Sequence, residues 1–251
     1  YYDFVKEYMN VDECKNNKKY SSAGHTFCWS KDDSINAEGL YWFYEGNGFI
    51  IDIHDFYIKE EVIQNSTYSM ENYVSICSSY IVSANGEKFN PYQTLTPNSL
   101  YTLDFDNIED DFLFLLHENS YYLTVSVGFK RELLEKHLSS INIDLESFYR
   151  ALLQTNQIIL TKSLEKVAME ILKCKMDAPA ADFFFKAKAN EWISIVIDTY
   201  LNRKKYKIES DDNKALEDAS RFLDDHFVMT VNQETLEKIS KMSGTKLKNL
   251  F

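Results

Sequence analysis

The chain has 251 residues, of which 45% are hydrophobic and 15% aromatic. This composition provides for one large domain or two, and it excludes an intrinsically disordered chain. The formal net charge of −12 excludes a surface that faces mostly nucleic acid or anionic membrane, but a small basic patch can still contact DNA.

Cysteine spacing and hydropathy predict a soluble, cytoplasmic protein with no membrane partner. The cysteines form no C-x-x-C pair and no zinc-finger spacing, so free thiols in a reducing compartment are expected for Cys14, Cys28, Cys77 and Cys174. No apolar run approaches the roughly 18 residues that span a bilayer, and no signal peptide is visible.

The first residues predict a short amphipathic helix and a polar loop, and a long β-rich region follows. Apolar side chains recur at helical spacing at the start, namely Phe4, Val5, Tyr8 and Met9. From Gly39 to Phe129 the period changes to two, most clearly over residues 49–54, 73–82 and 121–129. Such alternation is typical of strands with one buried face, and many short strands predict a sandwich or a barrel.

From residue 130 onward the periodicity is helical. Helices are predicted over residues 130–139, 145–154, 163–173 and 179–204, with Pro179 suited to a first helical turn. The charged residues 204–212 lack apolar periodicity and are predicted to be a linker. A further amphipathic helix is predicted from the apolar residues Ala215, Leu216, Ala219, Phe222 and Leu223.

The last residues predict two helices joined by a tight turn. Apolar residues at helical spacing flank Ser243-Gly244, namely Leu236, Ile239 and Met242 before it and Leu247, Leu250 and Phe251 after it. Ser243 is a suitable N-cap for the second helix. Four lysines (Lys238, Lys241, Lys246 and Lys248) and no acid lie between Lys238 and Phe251. This pattern is typical of a helix-turn-helix that places its second helix in a DNA major groove.

Residues 235–239 and 242–251 resemble the first helix-turn-helix of AraC-family transcription regulators. The family pattern is a Leu-Ala pair, a Gly-Met-Ser turn, and Leu and Phe along the recognition helix. Here Ile239 replaces the common Ala, and Lys241 stands where the family favours Gly. The family carries a second helix-turn-helix beyond this point. The end at Phe251 and the start at Tyr1 therefore suggest a fragment of a longer protein.

A second stretch resembles the linker helices of the siderophore-responsive branch of the same family. It comprises residues 171–174, where a Cys follows an Ile-Leu pair, and residues 183–191, where a Lys and a Glu stand three apart. The resemblance implies an α+β chain with three parts. These are an N-terminal cupin-like β-barrel that binds an effector (1–129), a helical dimerisation segment and linker (130–205), and a partial C-terminal helix-turn-helix (206–251).

The resemblance implies a DNA contact at the start of the last helix, through Ser243, Thr245, Lys246, Lys248 and Asn249. Ser243 and Thr245 would touch phosphate or base edges, Lys246 and Lys248 would neutralise phosphate, and Asn249 could read an adenine edge. Without the resemblance, the four lysines of this stretch would be interpreted as the ordinary solvated face of terminal helices.

A barrel interior could hold a small-molecule effector among hydroxyls and aromatic rings. The candidate residues are Trp42, Tyr44, Ser75, Cys77, Ser79, Tyr101 and Thr124. The alternative is that these side chains only fill a core, since a one-residue slip exchanges the two faces of a strand. A homodimer is predicted through a half-apolar stripe on the long helix, formed by Phe184, Lys188, Glu191 and Ile195.

The residue types that enzymes need are not found in catalytic patterns. The histidines are scattered, no phosphate loop or nucleophile elbow occurs, and the acidic clusters 109–111 and 224–225 suit solvated turns and helix faces. We therefore expect no enzyme, no metal and no cofactor. The main hypothesis is an effector-controlled transcription regulator. The alternatives are a small-molecule-binding or isomerase-like cupin without DNA binding, and a regulator controlled by a protein partner.

Overall fold

A computed structural model describes residues 1–9, 12–14, 17–29, 37–64, 70–89, 92–107, 113–154, 157–202, 215–216, 219, 222–223 and 231–250. Within its helices and strands, the side chains of residues 8–9, 29, 150–154, 157–160 and 249–250 lie outside this description. The chain divides into two compact units, Tyr1–Leu201 and Asn202–Phe251. None of the described helices is long and apolar enough to cross a membrane.

The described part of the first unit begins with a helix and continues with ten strands. Helix α1 is Tyr2–Met9, as the amphipathic spacing predicts. The strands are β1 (His25–Trp29), β2 (Ala37–Gly46), β3 (Phe49–Ile58), β4 (Val62–Gln64), β5 (Ile76–Ser83), β6 (Gly86–Phe89), β7 (Gln93–Leu95), β8 (Ser99–Asp104), β9 (Leu113–Leu116) and β10 (Ser120–Phe129). The alternating sequence runs form β3, β5 and β10, whereas β1 lies before the predicted β region.

The strands form two antiparallel sheets. The larger has the order β1-β2-β3-β10-β5-β8, and the smaller has the order β4-β9-β6-β7. One face of the larger sheet, here called the inner face, shares a hydrophobic core with the smaller sheet through residues such as Phe43, Ile50 and Phe114. The described strands therefore form two packed sheets rather than one closed barrel. The α+β class is confirmed, and a closed barrel is not found in this part of the chain.

Four helices cover the opposite, outer face of the larger sheet. They are α2 (Arg131–Ser139), α3 (Leu145–Gln154), α4 (Gln157–Lys173) and α5 (Ala180–Leu201). Outer-face residues such as Trp42, Ile53 and Val127 form one core with Phe185 and Trp192 of α5. The predicted domain boundary at residue 129 thus separates the larger sheet from helices that share its core. This boundary stays a prediction. A cavity of about 10 Å³ lies between these layers, room for no more than a single water.

The thiol prediction is wrong for two of the four cysteines. Cys14 and Cys28 form a disulfide, whereas Cys77 and Cys174 are free and buried, as predicted. The pairing arises because the Cys14 backbone N–H donates to the Thr26 carbonyl at 2.6 Å, which places the two chain segments side by side. Disulfides persist mainly in oxidising environments. The cysteines therefore give no support for a reducing compartment, and the cytoplasmic location stays a prediction.

The second unit contains two consecutive helices, α6 (Gln233–Ser240) and α7 (Gly244–Leu250). The five apolar residues that predict a preceding helix, at positions 215, 216, 219, 222 and 223, are all helical, and the residues between them lie outside those described. Leu216 packs with Met242 and Leu247 in a small core, joined by the partly buried Leu236. The predicted linker over residues 204–212 and the acidic pair 224–225 also lie outside the described residues.

Candidate functional site

The helix pair α6–α7 is built by local capping interactions. The Asn232 side chain accepts a hydrogen bond from the Thr235 backbone N–H at 2.9 Å and so caps α6. Ser243 caps α7 as predicted, because its hydroxyl oxygen accepts from the Lys246 backbone N–H at 3.3 Å. Only three residues, 241–243, separate the helices. This is the compact arrangement that a helix-turn-helix requires.

Lys241 occupies a left-handed backbone conformation, with φ of 54°, directly after α6. Helices commonly end on such a residue, and glycine is favoured there because a Cβ destabilises this conformation. A lysine at this position is therefore a conformational cost to this chain.

Lys241→Gly is expected to stabilise α6 and α7 by up to about 1 kcal/mol, because the strain of a left-handed lysine outweighs the added freedom of glycine in the unfolded chain. Amide hydrogen exchange of the two helices measures the change. The control is Lys238→Gly inside α6, where the same substitution should destabilise the helix by about 1 kcal/mol. Equal destabilisation by both variants would contradict the left-handed conformation of Lys241.

Four of the five predicted DNA-contacting residues lie on the exposed side of α7 or of the turn before it. Ser243, Thr245, Lys246 and Lys248 are exposed, whereas Met242 and Leu247 are buried toward the rest of the unit. Asn249 belongs to α7, but its side chain lies outside those described, as do the side chain of Leu250 and all of Phe251. The helix thus presents positive charge on one side and an apolar anchor on the other.

A second candidate site lies on the inner face of the larger sheet. Four of the seven predicted effector residues meet there, namely Cys77, Ser79, Tyr101 and Thr124, and all four are buried. Strand pairing sets Ser79 directly opposite both Ser126 of β10 and Tyr101 of β8. The Ser79 hydroxyl donates to the Ser126 hydroxyl at 2.8 Å. Polar groups from three adjacent strands therefore form one continuous row.

The other three predicted effector residues are placed elsewhere. Trp42 faces the helices, where its indole N–H donates to the Ser21 carbonyl at 2.9 Å. Tyr44 donates its hydroxyl to the Asp182 carboxylate of α5 at 3.0 Å. Ser75 precedes β5, and its backbone N–H donates to the Phe129 carbonyl at 2.8 Å. The structure thus gives each of them a partner apart from the inner-face row.

Several inner-face residues do not belong to the predicted effector set. They are Tyr41, Asp52, His54, Tyr122 and Ser126, and with the four residues above they form what we call the interior polar cluster. Asp52 lies directly opposite Ser126 and is 7% exposed. The available signal was Asp52 itself, one of the two acidic residues of β3, at a position that alternation assigns to the same face as His54.

The phenols and the thiol of the interior polar cluster are held neutral. Burial raises the pKa of Tyr122 to about 12, and burial raises the pKa values of Tyr41, Tyr101 and Cys77 well above their usual range. The charge of Asp52 adds to this rise for Tyr41, Cys77 and Tyr122. These groups can therefore donate hydrogen bonds to a ligand, but they do not supply a thiolate or phenolate nucleophile.

The predicted dimer stripe on α5 makes contacts within its own chain. The Lys188 ammonium contacts the Glu170 carboxylate of α4 and lies 2.6 Å from Glu191. Phe184 and Ile195 are partly buried against the core beneath the helices. These contacts explain the half-apolar, half-charged pattern of the stripe without a second subunit, and dimerisation stays a prediction.

No family model and no curated protein matches the chain. Among solved structures, the AraC-like transcriptional activator CuxR is similar with a TM-score of 0.37 and 9% identity, over 91% of this chain and 80% of that one. The cupin domain of an XRE-family transcriptional regulator from Enterobacter cloacae is similar with a TM-score of 0.23 and 11% identity, over 42% of this chain and 94% of that one. Likenesses this weak do not establish a shared family or a shared function.

Proposed function

We propose that the chain is part of a DNA-binding transcription regulator of the AraC type, controlled by a small molecule bound at the inner face of its sheet. The observation that carries the proposal is the pair α6–α7. Its second helix is capped by Ser243 and anchored by Met242 and Leu247, and it exposes Lys246 and Lys248. The resemblance of residues 235–239 and 242–251 to a DNA-binding helix-turn-helix supports the same proposal.

The helix pair is suited to contact with the phosphate backbone. Exposed lysines neutralise phosphates and release counterions, whereas a capped helix start provides backbone N–H groups for phosphate oxygens. Because the whole chain carries a net charge of −12, binding depends on this local basic surface rather than on overall attraction. The binding should therefore be sensitive to the removal of a few charges.

Replacing Lys246 and Lys248 together by alanine is expected to weaken DNA binding roughly tenfold and to lower the salt slope by about 1–2. Fluorescence anisotropy measures both, with labelled duplexes from the region upstream of the protein's own gene, at several salt concentrations. The control replaces Lys18 and Lys186, which are exposed in the first unit, and removes the same charge. Unchanged binding in the first variant, or equal loss in both, would refute this contact surface.

The interior polar cluster supports the effector part of the proposal. Its buried hydroxyls and carboxylate lie between two sheets, and polar groups gathered on one inner face are what a specific small-molecule site requires. Regulation follows if the ligand has different affinities for the DNA-binding and non-binding states of the protein. The cupin alternative without DNA binding would show ligand binding at the cluster and no DNA affinity.

A further inference from the structure

Asp52 is a buried carboxylate in the middle of the inner face. It is 7% exposed and lies between Phe43 of β2 and Ser126 of β10 in the strand register. Burying a carboxylate is costly unless it is paired and hydrogen-bonded. The partners of Asp52 therefore decide whether it is a structural or a functional residue.

The carboxylate of Asp52 is incompletely satisfied. Its Oδ1 atom is buried and accepts no hydrogen bond from any residue that the structure describes. His54 Nδ1 lies 3.2 Å from this oxygen, but the geometry is not that of a hydrogen bond. The same nitrogen lies 3.3 Å from the Thr124 hydroxyl, with which it shares a hydrogen bond.

The groups around Asp52 have no fixed positive charge to offer. The Asp52 charge acts on the thiol of Cys77 and on the hydroxyls of Tyr41, Tyr122 and Tyr1, which are all neutral. The Tyr1 hydroxyl shares a hydrogen bond with that of Tyr41 at 2.7 Å. Within the described residues, no lysine or arginine forms an ion pair with Asp52. The Asp52 carboxylate thus lies among hydroxyls, a thiol and the His54 imidazole, without an ion pair to a described lysine or arginine.

We propose that the inner face binds a small molecule with a protonated primary amine, which donates to Asp52 while hydroxyls of the ligand meet Ser79 and Ser126. An ammonium supplies both the missing positive charge and the missing N–H donor. An anionic ligand would be repelled by Asp52. A metal ion is disfavoured because no group of three or more His, Cys, Asp or Glu side chains suited to a metal occurs among the described residues.

The serine row favours an amine that also carries hydroxyls. Ser126 is directly opposite Asp52 on one side and Ser79 on the other, so hydroxyl groups continue from the carboxylate across the sheet. Burial leaves these groups little water, which makes a matched hydroxyl on the ligand more valuable than an apolar substituent. Amino alcohols and amino sugars fit this chemistry. The regulatory meaning of the site rests on the proposed function, but the binding itself does not.

Asp52→Asn is expected to raise the melting temperature of the ligand-free protein by about 2–8 °C, because it removes an uncompensated buried charge and keeps the shape of the side chain. The matched control is Asp104→Asn, which replaces another buried aspartate that is satisfied by the Asp106 backbone N–H and the Asn107 side chain. Burial raises the pKa of Asp104, but this carboxylate keeps its two donors, so the gain from removing its charge is offset and the melting temperature should change by less than in Asp52→Asn. A purely structural Asp52 would respond as Asp104 does.

Isothermal titration calorimetry with 2-aminoethanol and glucosamine tests the ligand class, with ethylene glycol and N-acetylglucosamine as uncharged counterparts. We expect at least one amine to bind and its uncharged counterpart not to bind. In Asp52→Asn the affinity for that amine should fall roughly tenfold or more. Asp104→Asn should bind as the wild type does. If neither amine binds the wild-type protein, or if Asp52→Asn binds equally well, the proposal is overturned.

The titration contains no DNA, so it separates this inference from the proposed function. Amine binding without any DNA affinity would support the site and refute the regulator. DNA binding that depends on Lys246 and Lys248, with no amine binding, would support the regulator and refute the ligand class. Where both occur, anisotropy with and without the bound amine shows whether the ligand changes DNA affinity.

Discussion

Replacing Asp55 by alanine is expected to destabilise the protein by about 3–5 kcal/mol, because it breaks a buried, multiply bonded carboxylate. Asp55 is 3% exposed. It accepts hydrogen bonds from the Tyr20 hydroxyl at 2.5 Å and from the Tyr121 hydroxyl, and its carboxylate lies 2.6 Å from the Lys19 ammonium. The variant would leave two phenol hydroxyls without an acceptor and one lysine without its counter-charge.

Urea denaturation at neutral pH measures this loss. The control is Glu38→Ala, which removes a carboxylate 2.6 Å from Lys59 at a half-exposed surface position, where the expected change is below about 1 kcal/mol. Similar losses in the two variants would show that the Asp55 network adds no more than an ordinary surface pair.

The Asp55 contribution should also depend on pH in one direction. Burial acts to raise the pKa of Asp55, but hydrogen bonds from Lys19, Tyr121 and Tyr20 outweigh it and the pKa is lowered. The stabilisation is therefore complete above the unfolded-state pKa of about 3.9, and it is lost as the pH falls through the lower folded-state value. The wild type and the variant should converge in stability at acid pH.

Trp192→Ala in α5 is expected to cost about 3–5 kcal/mol, the range for removing a buried tryptophan from a packed core. Trp192 is fully buried, and its indole N–H donates to the Ser78 hydroxyl of β5 at 2.7 Å. The substitution leaves a cavity between helix and sheet and removes the bond that joins them. Circular dichroism during thermal unfolding should show a fall of roughly 6–20 °C in melting temperature.

Phe183→Ala on the same helix is the matched control for Trp192. Phe183 is 77% exposed, so its removal should change stability by less than about 0.5 kcal/mol. The pair of variants tests whether α5 is primarily a core helix of its own unit. A small effect of Trp192→Ala together with a large, concentration-dependent effect of Phe183→Ala would instead indicate a helix held mainly by a second subunit.

The sequence predicted the elements whose periodicity was long and regular. These elements are the alternating strands β3, β5 and β10 and the helices α2 and α3, and each has eight residues or more. Over that length the periodicity of the apolar residues is clear even where single residues depart from it. The Ser243 cap was predictable because capping is a local interaction between neighbouring residues. By contrast, β1 has only five residues, and α4 starts six residues before the predicted position 163, where the apolar run has no clear period.

The interior polar cluster was predictable only in part, because it depends on strand register. Alternation placed Cys77 and Ser79 on one face, but it could not show that Asp52 of a distant strand lies opposite Ser126. Trp42 and Tyr44 were grouped with these residues by residue type, and they point instead toward the helices. The Cys14–Cys28 pairing was hidden for the same reason, since no spacing rule reports which segments become neighbours.

The row of polar residues Asp52, Ser126, Ser79 and Tyr101 crosses strands β3, β10, β5 and β8. Its formation therefore depends on the order in which these strands pair during synthesis. Strand β10 is the last of the ten along the chain, yet it inserts between β3 and β5. Until the ribosome has released residues 120–129, the two halves of the larger sheet have no common neighbour, and long-range pairing of this kind forms slowly. A nascent chain that ends before this strand would carry every other group of the row and still lack the continuous surface.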